Sequence, residues 1–331
     1  MWSPLARASL VFLILYFILF LFLAYLYVLR KVPLLSRWLV LLLHVTVRLA
    51  SQGCGLSFGI IGYANINLLV AYFILGAEGY FTLVVCTLRF LIAWQRNQWG
   101  GHSWLEPNDP SKERGGWRKR FSRMFQWKHS KGSSSLKAVI IVDWILLGAN
   151  TIIISGGSLS SSAYTDKELS PSQVRSRLDA SKALRAAGQT IFLAVNMALL
   201  ACVAITIHQH RHHRYSNTQV EVVSDTPAPE KAQELPAEES RRRRPWFGHA
   251  TLLLLLATWP FLAIRGAFGV AQAIVPDLNY FNSEVYDANN LTAQFVTEET
   301  CFVTMMEFIS AAILATSYFT TRTRSSAVSR A

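Results

Sequence analysis

The chain has 331 residues, 52% of them hydrophobic and 16% charged, with a mean hydropathy of +0.28. That balance excludes an ordinary soluble pair of domains, the usual expectation at this length. The net charge of +12 lies in loops between apolar runs and not along one face of a folded unit, which argues against nucleic-acid binding and matches the positive-inside pattern of membrane proteins.

A hydrocarbon core of about 30 Å needs about twenty helical residues, and the first apolar run, Leu10 to Leu29, has that length. It is too long for the core of a signal peptide, and no small-x-small cleavage site follows. Arg30 and Lys31 follow it, against Arg7 before it, so it reads as a retained anchor with its N-terminus outside. With the six further runs, the predicted spans are 8–29, 38–61, 66–94, 138–157, 186–207, 249–274 and 298–320. The second and third are joined by the few residues Gly62–Asn65 and form a tight antiparallel pair. The expected fold is therefore all-α: one transmembrane domain over 1–331, a seven-helix bundle with a cytoplasmic C-terminus.

Under that topology 23 Lys and Arg fall on the inner side and six on the outer, the asymmetry expected for N-out, C-in. The outer loop 158–185 carries five of the six. Within it, Ser170-Pro171 is a helix-start signature, and a helix is expected from there along Val174 and Leu178 into the fifth span. The sequon Asn290-Leu291-Thr292 lies in the last outer loop and makes Asn290 a candidate N-glycosylation acceptor.

The inner loops differ in character. In 96–136, Trp117, Phe121, Met124 and Phe125 interleave with Arg118, Lys119, Arg120, Arg123 and Lys128, a basic amphipathic pattern. Such a stretch suits anionic lipid at the cytoplasmic face, gaining about 1 kcal/mol per basic residue, and a calmodulin-target helix is the alternative. In 208–248, the part from Ser216 to Ser240 carries three prolines and six acids and is expected to be disordered. It ends in Arg241–Arg244, a topology anchor. A short cytoplasmic tail, 321–331, closes the chain.

Six ionisable side chains fall well inside the spans: Arg48, Glu78, Arg89, Asp143, Arg265 and Glu307. Each costs about 2.5–3.5 kcal/mol near a helix centre and so calls for a partner or water. At 1.5 Å per residue, Arg48 and Glu78 lie about 20 and 18 Å from the outer side. Arg89 and Asp143 each lie about 8 Å above the inner side, and Arg265 and Glu307 about 13 Å below the outer. The expected pairs are thus Arg48 with Glu78, Arg89 with Asp143, and Arg265 with Glu307, joining consecutive helices. Such pairs either orient helices or line a polar site for a ligand or solute. Pro260 removes a backbone hydrogen bond and is expected to kink the sixth span near Arg265.

No metal or cofactor is expected. The histidines 208, 210, 212 and 213 lack nearby acidic or cysteine ligands, and His44 is the only histidine well inside a span. Cys54, Cys86, Cys202 and Cys301 form no CxxC pair and read as packing residues. No GxSxG elbow, glycine-rich phosphate loop or aspartate dyad occurs, so an intramembrane enzyme is the least expected of the functional readings.

Several short motifs carry a resemblance. Trp259-Pro260-Phe261-Leu262-Ala263-Ile264-Arg265, Arg48-Leu49-Ala50-Ser51-Gln52-Gly53, Leu184-Arg185-Ala186-Ala187-Gly188 and Met306-Glu307-Phe308-Ile309 resemble motifs of an uncharacterised family of fungal seven-helix membrane proteins. More distantly the layout resembles RTA-type lipid-translocating exporters and fungal receptor-like proteins. Trp259-Pro260 is also similar to the sixth-helix kink of class A receptors, but the third span ends Leu88-Arg89-Phe90 instead of DRY. No NPxxY occurs, and no lysine lies in the seventh span to hold retinal.

The expectation is an integral protein of the plasma membrane or an endomembrane, surrounded by lipid, with a small-molecule or lipid ligand. A receptor or sensor would use the outer charges for that ligand and the basic loops for a cytoplasmic protein partner. A transporter or lipid translocator would use the same charges as a path, although no inverted repeat is visible.

Overall fold

The computed structural model describes residues 2–34, 36–99, 103–105, 138–165, 170–223, 247–280, 285–288 and 290–328. Among them the regular elements are helical, and the only β-type pairing is an isolated bridge between Tyr286 and Leu291. The helices are α1 (Pro4–Val28), α2 (Arg37–Ile61), α3 (Ile66–Gln98), α4 (Ala138–Thr165), α5 (Pro171–Val223) and α6 (Phe247–Ile274). The last, α7, runs as Ala293–Glu299, a π turn Thr300–Thr304, and Met305–Val328. The basic aromatic stretch Trp117, Arg118, Lys119, Arg120, Phe121, Arg123 and Phe125 lies outside the described residues.

Among the described residues six helical stretches are long and apolar enough to cross a membrane: Pro4–Val28, Arg37–Gln98, Ile141–Ser160, Pro171–His210, Ala250–Ile274 and Ala293–Thr320. The second holds both α2 and α3, joined by the 3₁₀ turn Gly62–Asn65. Gly62 takes φ 66°, a backbone region open to glycine at little cost, and this is where the chain reverses. His44 then meets Gly79, and Ser51 meets Tyr72, so the two helices lie antiparallel.

The contacts between the remaining helices fix an up-and-down bundle. Arg89 meets Asp143 and Ser160 meets Ser181, making α3/α4 and α4/α5 antiparallel. Arg185 reaches Gln272, and Thr251 reaches Thr320, which does the same for α5/α6 and α6/α7. Phe12 against Phe308, and Phe22 against Tyr318, lay α1 parallel to α7 and close the assembly. We call the end carrying Gly62–Asn65 upper and the opposite end lower.

The helices are apolar outside and mixed inside. On α1 the exposed side chains Val11, Ile14, Ile18, Leu21 and Tyr25 recur at helical spacing. A stripe that wide on a water-soluble surface would be an aggregation liability; against acyl chains it is the matching solvent. On α2 the buried face reads His44, Arg48, Ser51, Gln52, Gly55, Gly59, so polar and small residues point inward. Small residues let backbones approach closely in lipid. At Gly59 an added Cβ would lie 2.6 Å from the Ala6 nitrogen, and at Gly188 2.9 Å from the Ala149 carbonyl oxygen.

The structure extends α5 beyond the expected span. The helix opens on a reciprocal capping box: Ser170 N–H donates to Gln173 Oε1 at 3.0 Å, and Gln173 N–H donates to Ser170 Oγ at 3.4 Å. Pro171 follows at the first position, where its missing N–H costs nothing. The helix continues to Val223, so 216–223, expected to be disordered, is helical. Propagation from an established helix needs only one residue fixed per added hydrogen bond, which explains the overrun. Of that inner loop, 224–246 lies outside the described residues.

Candidate functional site

The deepest charges form a three-membered cluster. Arg48 Nε lies 2.6 Å from Glu307 Oε2, and Arg265 Nε donates to Glu307 Oε1 at 2.8 Å. The three side chains are 2%, 5% and 0% exposed, respectively for Arg48, Arg265 and Glu307. One carboxylate therefore ties α2, α6 and α7 together, and it faces two guanidiniums. Removing charges from water costs several kcal/mol per ion even after relaxation, so an ion bridge of this kind is costly unless its geometry is exact or it serves a function.

The local sequence makes room for it. A Cβ at Gly79 would lie 2.8 Å from both Arg48 Cδ and Glu307 Oε2, so glycine lets α3 press against the pair. Tyr80, next to it, stacks beneath Arg265, whose guanidinium carbon is 5.1 Å from the ring centroid. The Tyr80 hydroxyl donates to the Leu262 carbonyl at 3.2 Å, within the stretch of α6 that contains Pro260. His44 Nδ1 lies 2.9 Å from the Gly79 carbonyl oxygen. A carbonyl can only accept, so this nitrogen carries the proton.

Of the expected pairs, Arg265 meets Glu307, and Arg89 Nη2 donates to Asp143 Oδ2 at 2.6 Å. Arg48 does not meet Glu78, which is a correction to the sequence-based pairing. The hairpin register lays Arg48 over Gly76 and Gly79 of α3. Glu78 is about 100° around the helix from Gly79 and points to α4, where its Oε1 accepts from Asn150 Nδ2 at 2.6 Å. Depth alone could not separate these partners. Azimuth decides.

Two buried ionisable groups had no place among the expected intramembrane charges. Arg185, counted among the basic residues of an outer loop, is 3% exposed inside the bundle. Its Nη1 donates to Asn279 Oδ1 at 3.0 Å and its Nη2 to the Gln272 carbonyl at 3.3 Å. Glu299, at the margin of the last span, is 9% exposed and accepts from Gln272 Nε2 at 2.5 Å. Eight residues separate Glu299 from Glu307, which in a regular helix would set them about 80° apart. The π turn between them adds one residue to the turn, so the step is worth about seven and the offset falls to about 20°. Both carboxylates then face the interior.

These residues surround a small cavity in the upper half of the bundle, about 30 Å³, room for one or two water molecules. Arg185 and Gln189 come from α5, Arg265 and Gln272 from α6, and Glu299 from α7. The Phe73 and Tyr280 rings stack beside it at 4.3 Å, and Tyr280 also covers the Arg185 guanidinium at 4.6 Å. Below the cluster the interior is filled by Leu41, Leu83, Leu88, Phe90 and Leu91. A smaller apolar void lies between α5 and α6, lined by Leu199, Val203, Leu255 and Trp259. At the lower end Gln95 donates to Thr206 Oγ1 at 2.9 Å and accepts from Ser103 Oγ at 2.5 Å.

The sequon asparagine is turned inward. Asn290 is 9% exposed, its Nδ2 donates to the Gly59 carbonyl at 3.4 Å, and its Oδ1 accepts from Leu291 N–H at 3.0 Å. No family model, no curated protein and no solved structure matches this chain.

Proposed function

We propose that the chain crosses the membrane seven times, N-terminus outside and C-terminus cytoplasmic, and works as a receptor or sensor for a small polar ligand. The observation that carries this reading is the cavity beside Arg265: lined by Arg185, Gln189, Gln272 and Glu299 in the upper half of the bundle, with the Arg48–Glu307–Arg265 cluster and packed leucines beneath it. Counting α2 and α3 as two crossings fits their antiparallel packing and puts the basic loops on one side, as the positive-inside rule requires. A ligand entering from the upper side would meet the cluster that ties α2, α6 and α7. Any change there reaches the lower ends of those helices through two irregular points, Pro260 in α6 and the π turn in α7. Both are common sites of helix bending and function.

A transporter reading draws on the same two points and on the stacked carboxylates Glu299 and Glu307, which offer successive stations along one helix face. The filled lower half favours the receptor. The purified chain in sealed vesicles, given labelled small polar solutes, separates the two. Uptake that scales with protein content and is lost in a folded Arg265→Ala variant supports transport. Ligand-dependent capture of a cytoplasmic partner without uptake supports the receptor.

A further inference from the structure

Two buried polar atoms in the cavity lack hydrogen-bond partners: Arg265 Nη1 and Gln189 Oε1. Both lie against the Gly269 Cα: a Cβ built there would be 3.0 Å from the first and 2.5 Å from the second. Arg265 is 4% exposed, so its unused donor sits in low dielectric. An unsatisfied buried polar atom costs about 1–3 kcal/mol, and more when it is charged. A side chain at 269 would press on both atoms.

A group that satisfies both atoms must accept from a guanidinium and donate to an amide oxygen. A guanidinium is built to hold a carboxylate. Glu299, on the same cavity wall, adds a second acceptor for a donor group. We infer that the cavity binds a short carboxylate bearing a hydroxyl or ammonium on the adjacent carbon, with the carboxylate on Arg265 and the donor on Gln189 and Glu299. This rests on the receptor reading above and names the chemistry of its ligand. Both orphan atoms are shielded in the present arrangement, so binding requires the Gln189 amide to shift and its Oε1 to rotate onto the ligand's donor.

The test is thermal unfolding of the purified full chain at fixed ionic strength with glycolate, glycine, acetate or glycolamide. A ligand bound only by the folded state raises Tm saturably, by about 2 °C or more once it is well above its dissociation constant. Glycolate or glycine should do this, acetate less, and the uncharged glycolamide not at all. The better of the first two tells whether the donor is hydroxyl or ammonium. Gln189→Leu, which leaves the ion cluster intact, should reduce the glycolate shift towards that of acetate, Glu299 remaining as acceptor. Gly269→Ala puts a methyl against both atoms and should remove the shifts. Equal shifts with glycolamide, lost in Gly269→Ala, would overturn the carboxylate while leaving a ligand cavity in place. No shift with any probe overturns the inference, and partner capture then decides the receptor reading alone.

Discussion

Arg48 on the second helix binds Glu307 on the last, at 2.6 Å, across 258 intervening positions, and shares that carboxylate with Arg265. Glu307→Gln would leave two guanidiniums buried without a counter-charge. Breaking a buried ion pair by removing one partner costs about 3–5 kcal/mol, so the variant should unfold at a much lower temperature than wild type or fail to accumulate. Glu78→Gln is the matched control. Its partner is the neutral Asn150, and an amide can still accept that hydrogen bond, so its loss should be within about 1 kcal/mol. Equal losses in the two variants would place the third-helix carboxylate in the cluster after all.

The lower pair makes a graded comparison. Arg89 and Asp143 sit at 2.6 Å, as close as Arg48 and Glu307, but are 32% and 21% exposed. The sequence-based depth puts this pair about 8 Å from the lower membrane face, within reach of water, and water-exposed pairs are worth up to about 1 kcal/mol. Asp143→Asn should therefore cost a fraction of what Glu307→Gln costs, measured as thermal unfolding in one detergent. A larger loss at Asp143 would mean that exposure is a poor guide to the strength of these pairs.

The π turn makes a sharper prediction. Deleting Cys301, inside Thr300–Thr304, should restore a regular helix and turn Glu299 about 100° away from the cavity. The Gln272–Glu299 hydrogen bond at 2.5 Å would be lost. A double-mutant cycle of Gln272→Ala and Glu299→Ala reads this directly. The coupling should be about 1.5–3 kcal/mol in the intact chain, as for hydrogen bonds to charged groups, and near zero in the deletion background. Unchanged coupling would mean that the last helix absorbs the deletion elsewhere.

Much of this fold is written in hydropathy. Seven apolar runs, the short Gly62–Asn65 connection and the Ser170-Pro171 start each correspond to an observed helix or boundary. The polar stripe His44, Arg48, Ser51, Gln52 has helical spacing, so the inward face of α2 is legible too. Partner choice is not, because it depends on azimuth. Glu78 and Gly79 are neighbours in sequence, yet one faces α4 and the other the ion cluster. Glu299 is hidden for a related reason: its phase relative to Glu307 is set by a π turn that no residue pattern in Thr300–Thr304 announces. Arg185 looks like a loop charge because the apolar run begins after it, whereas the helix that carries it begins at Pro171.

Glycine spacing gives the last prediction, on the packing of α1 against α2. At Gly59 a Cβ would fall 2.6 Å from the Ala6 nitrogen and 2.8 Å from its Cα, both backbone atoms. The Gly59 carbonyl also accepts from Ser3 Oγ at 2.7 Å, so the two helices cannot separate without losing that contact. Gly59→Ala should then cost about 1–3 kcal/mol, the usual range for overpacking. Gly53, six positions earlier on the same helix, has nothing within 4 Å of its Cβ position. There Gly53→Ala should be stabilising by about 0.5–1 kcal/mol through helix propensity alone. The two substitutions add the same methyl to the same helix, so opposite signs in thermal unfolding isolate the crossing with α1. A loss at Gly53 as large as at Gly59 would show that this face of α2 is covered by something other than lipid.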